Sequence, residues 1–339
     1  MADEVRVRKQ VYITPQDLTG FIVSLGGIKF WAVAIFPMYV GWVLAQEPVS
    51  ARHLFIDELG IVLGLVIIGP LLGTFTLLFN TYYDMETTDL ANPRKQYVTV
   101  LEDLVDRDTV RYAAWGFAGL GLLLAAFVGA NLIRYDVPVV GLSAALGGGV
   151  FFLLIALAAL LSFAYSHPSI RLKGVPGMDL LVNILGFGVL CPLAGWALLA
   201  PVETFPAWYL VSTALFVGAA YAPTTASDFE ADREYGIRTL AVALGRLGAM
   251  RVGFIQLVGA VVLLFLGASQ GWFPFTPPAD RALDALWPFL ITQVAVYAVF
   301  LRRPTQAKTW TLILLETILQ GLTTLLFLYY FVGGQSYAP

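Results

Sequence analysis

Charge is scarce in this chain: of 339 residues only 13% are Asp, Glu, Lys or Arg, while 58% are hydrophobic. Ordinary soluble domains carry about twice that density of charge, so a water-soluble globule is excluded. Cysteine is nearly absent too. Cys191 is the only one, it lies inside an apolar run, and no intrachain disulfide can form. The alternating polar and apolar pattern of an outer-membrane barrel strand is missing. The first residues, MADEVRVRKQVYITPQDL, hold no short apolar core followed by a small-residue cleavage site, so no removable signal peptide is expected. A net charge of −3 offers nothing to a nucleic acid.

Long apolar runs are what the chain has instead. A bilayer core about 30 Å thick needs around 20 mostly apolar residues per crossing helix. Nine such segments fall at roughly 28–46, 58–82, 111–132, 139–164, 179–199, 207–225, 252–271, 284–301 and 309–332. Runs of this length satisfy their backbone polar groups in lipid only as helices. The expected fold is therefore all-α and polytopic, with nine transmembrane helices around a central cavity open to the cytoplasmic side and to lipid. Residues 1–27 read as a cytoplasmic segment ending in a short interfacial helix, and 28–339 as a single membrane domain. With the N-terminus inside, 17 of the 20 Lys and Arg residues fall on inner segments, leaving only Arg52, Arg134 and Arg281 outside. The positive-inside rule then puts the N-terminus in the cytoplasm and the C-terminus outside. The expected location is the cell inner membrane.

This topology places three polar stretches on one face: NTYYDMETTD (80–89), YSHPSIRLKG (165–174) and SDFEADREYGIRTLAVALG (227–245). Asn80 and Asp84 are four residues apart and share a face of a helix, as do Asp228 and Asp232. The carboxylates of the two pairs, facing one another, repel unless a divalent cation lies between them. Mg²⁺ takes oxygen ligands, keeps several waters, and is commonly held by one or two carboxylates plus substrate phosphate. Arg94, Lys95, Arg171, Lys173, Arg233 and Arg238 supply positive groups for a polyanion. Acids for metal and bases for phosphate beside a lipid-facing cavity describe a diphosphate on a hydrophobic tail.

NTYYDMETTD and DFEAD resemble the two aspartate-rich motifs of the UbiA superfamily of intramembrane prenyltransferases, NDxxDxxxD and DxxxD. YSHPSIRLK resembles the YSxPPxRxK motif between them, and the trailing GIRTLAVALG fits as well. The resemblance implies an Mg²⁺-dependent transferase that binds a polyprenyl diphosphate, lets the allylic C–O bond ionise, and joins the carbocation to an apolar acceptor within the membrane lipid. Carried over by position, Asp84, Asp89, Asp228 and Asp232 become metal ligands. Asn80, Lys173, Arg171, Arg94, Lys95 and Arg233 become diphosphate contacts, and Asp84, Asp228, Lys173 and Tyr165 the catalytic set. Thr81 stands where the first motif has a second acid, and Asp89 comes one residue late, so Glu86 is an alternative ligand. Ser169 replaces the second proline of the middle motif. Tyr82, Tyr83, Tyr165 and Phe229 are candidate aromatic faces for the cation.

Glu316, about two turns into the ninth segment, is open to two readings: a functional intramembrane acid, or a hydrogen-bond partner of Asn183 or another buried polar group. For the acceptor, DLANPRK and GVPGMDLLVN look like the lycopene elongase branch, whereas GPLLGTFTLLFNTYYD also resembles chlorophyll and bacteriochlorophyll synthases. The RPxPSG stretch of those synthases and of quinone-pathway members is missing; RKQYVTV stands there. The expectation leans to a carotenoid acceptor. An ion-coupled secondary transporter is the competing class, weakened by the clustering of acids at one membrane edge rather than at the midplane.

Overall fold

The computed structural model describes residues 28–46, 58–85, 107–135, 138–270 and 278–333. Among them there is helix and no strand. The long helices are α1 (Ile28–Leu44), α2 (Leu59–Asp84), α3 (Arg107–Asn131), α4 (Gly149–Ser166), α5 (Met178–Trp196), α6 (Ala207–Ser227), α7 (Leu240–Ser269), α8 (Pro278–Phe300) and α9 (Gln306–Gly333). Each of the apolar segments expected from the sequence overlaps one of them, although 139–164 is divided: a short helix, Gly141–Leu146, ends at Gly147, φ 52°, before α4 begins. Six are long and apolar enough to cross a membrane, while Trp31–Leu44 in α1 and Ala285–Phe300 in α8 form shorter apolar helices. The proposed interfacial helix before residue 28 lies outside the described residues.

Two hydrophobic cores flank the middle of the molecule. One gathers buried residues of α1 to α5, among them Trp42, Phe75, Phe79 and Phe151. The other joins α6 to α9 through residues such as Leu257, Leu290, Tyr297 and Leu312. Many large apolar side chains, including Leu123, Ile255 and Tyr329, remain exposed on the outer faces, as lipid-facing positions should. In lipid the drive to bring helices together comes from close packing rather than from water, so small residues sit at the crossings. A Cβ on Gly41 would overlap the Pro192 carbonyl, and one on Gly195 the Met38 carbonyl, so α1 and α5 touch backbone to backbone. Gly129 of α3 and Gly148, just before α4, meet in the same way.

Two helices widen into π-helical turns where they border the middle of the molecule. In α2 the turn spans Ile67–Gly73 and contains Pro70. A proline removes one backbone donor and clashes with the carbonyl four residues earlier; the wider turn relieves that clash without breaking the helix. In α5 the turn spans Ile184–Leu190, just before Pro192. At the far side of the molecule, Glu203 accepts hydrogen bonds from the Ser143 backbone N–H at 2.8 Å and hydroxyl at 2.7 Å. Those bonds, the hydroxyl first, hold its carboxyl below the usual glutamate range.

The α1–α5 contact gives a direct test. Gly195→Val is expected to force the two helices apart and to lower the melting temperature of detergent-solubilised protein clearly, since overpacking typically costs about 1–3 kcal/mol. Gly116→Val, where a Cβ meets nothing within 4 Å, should melt like the wild type. Equal melting of all three proteins would show that the close crossing does not stabilise the fold.

Candidate active site

A cavity of about 750 Å³ lies between the two cores, within the usual range for a small-molecule site. Most of its wall is apolar. Its charged side chains gather at one end, where Asp84 of α2, Lys173, Asp228 and Asp232 line it together with Asn80 and Tyr165. The structure thus brings together the described parts of all three polar stretches.

The middle stretch forms by a tight turn. α4 ends at Ser166, and His167 accepts the backbone N–H of Ile170 at 3.0 Å and of Arg171 at 2.7 Å. Arg171 takes a left-handed backbone, φ 45°, and a single 3₁₀ turn, Leu172–Gly174, follows. Such a conformation is uncommon outside glycine, and here it directs the chain back so that Lys173 is buried while Arg171 stays exposed. Lys173 Nζ donates to both oxygens of Asp84 at 2.5 Å and to Asn80 Oδ1 at 3.0 Å. Ser166 Oγ donates to the same amide oxygen at 3.0 Å. Asp84 is only 4% exposed and Lys173 only 6%. Burial this deep is tolerable because each charge has its counter-ion.

The second acidic motif departs from the simple continuation of a helix that its spacing suggests. α6 stops at Ser227, Asp228 has a non-helical backbone, and a short separate helix, Phe229–Glu234, carries Asp232. The i,i+4 relation survives, since the Asp232 N–H donates to the Asp228 carbonyl at 2.9 Å. Ser227 Oγ lies 3.2 Å from Asp228 Oδ1. The bend is braced from three sides. Arg246 Nε donates to the Ala226 carbonyl at 2.9 Å while its guanidinium pairs with Glu230. Gln306 Nε2 donates to the Ser227 carbonyl at 3.0 Å. Asp179 accepts the N–H of Gly177 at 2.9 Å and of Leu240 at 3.0 Å, so one carboxylate caps the start of α7 from the start of α5.

Several sequence-level assignments change. Lys173, read as a phosphate contact, is also the ion-pair partner of Asp84. Arg171 and Arg233 are exposed and do not line the cavity. Of the four aromatic residues named for cation stabilisation, only Tyr165 lines it. Tyr82 carries the Arg107 guanidinium at 4.7 Å on its ring, Tyr83 packs edge-on against Phe79 and His167, and Phe229 lies under Arg246. The sequence reading missed Tyr221, whose hydroxyl meets that of Tyr165 at 2.5 Å, together with Tyr209, Phe216 and Trp310 on the cavity wall. Neither carboxyl oxygen of Glu316 has a hydrogen-bond partner, so its proposed bond to Asn183 is not formed; Asn183 donates to the Asp179 carbonyl at 2.8 Å. Asp89, Glu86, Arg94 and Lys95 lie outside the described residues.

The donor set at the polar end consists of carboxylate and amide oxygens, which suits a hard cation such as Mg²⁺ over a softer metal. Among the described residues no group of three or more His, Cys, Asp or Glu could hold a metal ion by itself. A cation there needs oxygens from its ligand as well. The ion pair itself is testable. Lys173→Met leaves the Asp84 charge buried and uncompensated, with an expected stability loss of about 3–5 kcal/mol. Adding Asp84→Asn should recover most of it. A single Lys173→Met protein that melts like the wild type would show that the pair does not hold this end of the cavity together.

Comparison with known proteins now bears on this geometry. The sequence model of the UbiA prenyltransferase family matches residues 34–316. The C(50) beta-cyclic carotenoids biosynthesis protein LbtBC of Dietzia sp. (strain CQ4) is 30% identical over 148 residues, 43% of this chain and 32% of that protein. The chain thus matches about a third of that relative's length. A lycopene elongase/hydratase of Haloarcula japonica is 29% identical over 239 residues, 70% of this chain and 72% of that protein. Among solved structures, a UbiA homologue from Archaeoglobus fulgidus bound to DMAPP and Mg²⁺ aligns with a TM-score of 0.62 at 19% identity, covering 92% of this chain and 98% of that one. A UbiA homologue from the same organism bound to GPP and Mg²⁺ gives a TM-score of 0.63 at 18% identity, covering 92% and 99%. At such identities the structural likeness speaks for the fold. The family match spans most of the chain, and with the helical cavity it leads to one conclusion: this protein belongs to the UbiA prenyltransferase family.

Proposed function

We propose that the protein transfers a prenyl group from a polyprenyl diphosphate to a carotenoid-type polyene inside the membrane, with Mg²⁺ at the polar end of the cavity. The observation that carries this reading is the cavity itself: largely apolar, with its carboxylates and its buried lysine gathered at one end. Prenyltransferase family membership displaces the ion-coupled transporter. The carotenoid acceptor is supported by the two carotenoid-pathway relatives, one named for lycopene elongation. The proposal keeps nine crossings, with the polar end on the cytoplasmic face of the inner membrane and the C-terminus outside.

In this reading Asp84, Asp228 and Asp232 hold the cation, with Asn80 beside them. When bound, Mg²⁺ stabilises the charge that develops on the departing diphosphate. The chain's own residues do the rest. Lys173 stays at the same end as a fixed positive charge, compensating Asp84 when the site is empty and the diphosphate when it is filled. Tyr165, held by its bond to Tyr221, presents an aromatic ring beside the allylic carbon, an interaction worth about 0.5–2 kcal/mol for a nearby cation. The apolar wall excludes water that would otherwise capture the carbocation.

Purified protein in nanodiscs should release diphosphate from dimethylallyl or geranylgeranyl diphosphate only with Mg²⁺ and an acceptor. Lycopene is the expected acceptor, with chlorophyllide and a quinone precursor as competitors. Asp84→Ala and Asp228→Ala should each lower the rate at least about 100-fold, the scale of losing one preorganised charge-stabilising group. Transfer to chlorophyllide alone would overturn the carotenoid reading, and full activity in either variant would overturn the clamp.

The wall supplies a separate test of where the acceptor lies. Gly186 and Gly321 line the cavity, and a Cβ on either meets nothing within 4 Å. Gly321→Leu should leave melting unchanged and raise KM for the polyene several-fold, with KM for the prenyl diphosphate little altered. An unchanged polyene KM would place the acceptor elsewhere.

A further inference from the structure

Deep in the cavity wall, where α8 packs on α9, a second group of polar side chains lies apart from the acid clamp. Glu316 is 2% exposed, and neither of its carboxyl oxygens has a hydrogen-bond partner. Gln320, one turn further along α9, has an unpartnered Nε2. Gln293 of α8 is fully buried; its Nε2 donates to Thr323 Oγ1 at 2.8 Å while its Oε1 has no partner. One turn beyond Gln293, the Tyr297 hydroxyl is likewise buried and unpartnered, and within electrostatic reach of Glu316. Gln293, Gln320 and Thr323 line the cavity.

Each orphaned polar atom is destabilising, and an ionisable side chain within the membrane-spanning helices points to a functional site. A hydrocarbon polyene satisfies none of these atoms. Their chemistry is specific: Gln293 Oε1 accepts, Gln320 Nε2 donates, and the Glu316 carboxyl and Tyr297 hydroxyl can each do either. A carbonyl ligand would leave Gln293 Oε1 unpaired, and a bare cation would face the Gln320 N–H. A group that both donates and accepts, an O–H, matches the set.

We propose that Glu316, Gln293 and Gln320, flanked by Tyr297, form a subsite for one hydroxyl-type oxygen in the wall of the acceptor cavity, filled by a held water or by a hydroxyl of the acceptor. The proposal rests on the reading of this cavity as the acceptor site. Its position follows from the helix. Gln306 ties the first turn of α9 to the Ser227 carbonyl beside Asp228, and Glu316 lies ten residues further on, about 15 Å along the axis at 1.5 Å per residue. The subsite therefore reads a feature remote from the diphosphate and acts on acceptor choice.

The test combines a structure with paired kinetics, both on the full chain in nanodiscs. A map fine enough to show ordered water should carry an oxygen-sized peak within hydrogen-bond distance of Glu316 and Gln320. A peak that persists with lycopene bound assigns the oxygen to water; its replacement by the oxygen of monohydroxylated lycopene assigns it to the acceptor. In the second case Glu316→Leu and Gln320→Leu should each lower kcat/KM for the hydroxylated polyene relative to lycopene about tenfold, the equivalent of one lost hydrogen bond of about 1.4 kcal/mol. A melting-temperature rise with geranylgeranyl diphosphate and Mg²⁺ confirms that each variant folds; Gln320→Leu, on the cavity surface, serves if Glu316→Leu does not. No peak in either state, together with an unchanged ratio, would overturn the subsite. If the wild type turns over neither polyene, the carotenoid reading fails, while the map still decides whether the oxygen is there.

Discussion

The buried pair between Lys173 and Asp84 is the contact on which the active end of this molecule depends. It joins two distant parts of the chain, the end of α2 and the turn after α4, and Asn80 and Ser166 complete it. A carboxylate this deep at the edge of an apolar cavity is costly alone. The lysine resolves the cost from within the chain, so the acidic end persists before any cation arrives. On the proposed reading, an incoming diphosphate and its metal would share or displace an existing counter-ion rather than fill a bare acidic pocket.

The two cores and the cavity between them follow from the same economy of polar groups. Lipid supplies no partners, so polar atoms gather where they can satisfy one another. Around the bend after α6 nearly every exposed backbone end is taken up, by Arg246, Gln306, Asp179 and Thr225. The α8–α9 seam is the contrast: Gln293 Nε2 bonds Thr323, but Gln293 Oε1, Gln320 Nε2, the Glu316 oxygens and the Tyr297 hydroxyl have no internal partner.

Much of this was legible in the sequence, for physical reasons. Apolar runs long enough to cross a bilayer have one backbone solution, so the helical segments could be drawn from composition alone. Asn80, Asp84, Asp228 and Asp232 were recognisable because polar stretches of both signs fall together on one face and their i,i+4 spacing puts each pair on one side of a helix, whereas a single acid at a helix end is a common solvated cap. What spacing cannot carry is partnership across the chain. Nothing near Lys173 indicated that it would turn back onto Asp84, since that depends on the left-handed Arg171. Exposure likewise escaped the sequence: Arg171 and Arg233 look equivalent to Lys173 in a charge count and lie outside the cavity. Tyr221 was hidden among ordinary apolar neighbours, with only its hydroxyl to mark it.

The π-helical turn in α2 has a consequence for the motif that follows it. A π-turn absorbs one more residue than an α-turn, and every residue of an α-helix advances the chain by about 100° around its axis. Asn80 and Asp84 lie directly downstream of Ile67–Gly73 and on the same continuous helix. Their azimuth is therefore set by the wide turn around Pro70 as much as by their own spacing. Winding the same residues as a regular α-helix, with none removed, would swing both side chains roughly a quarter-turn away from the cavity. The proline serves as an indexing device that rotates the acidic motif into place.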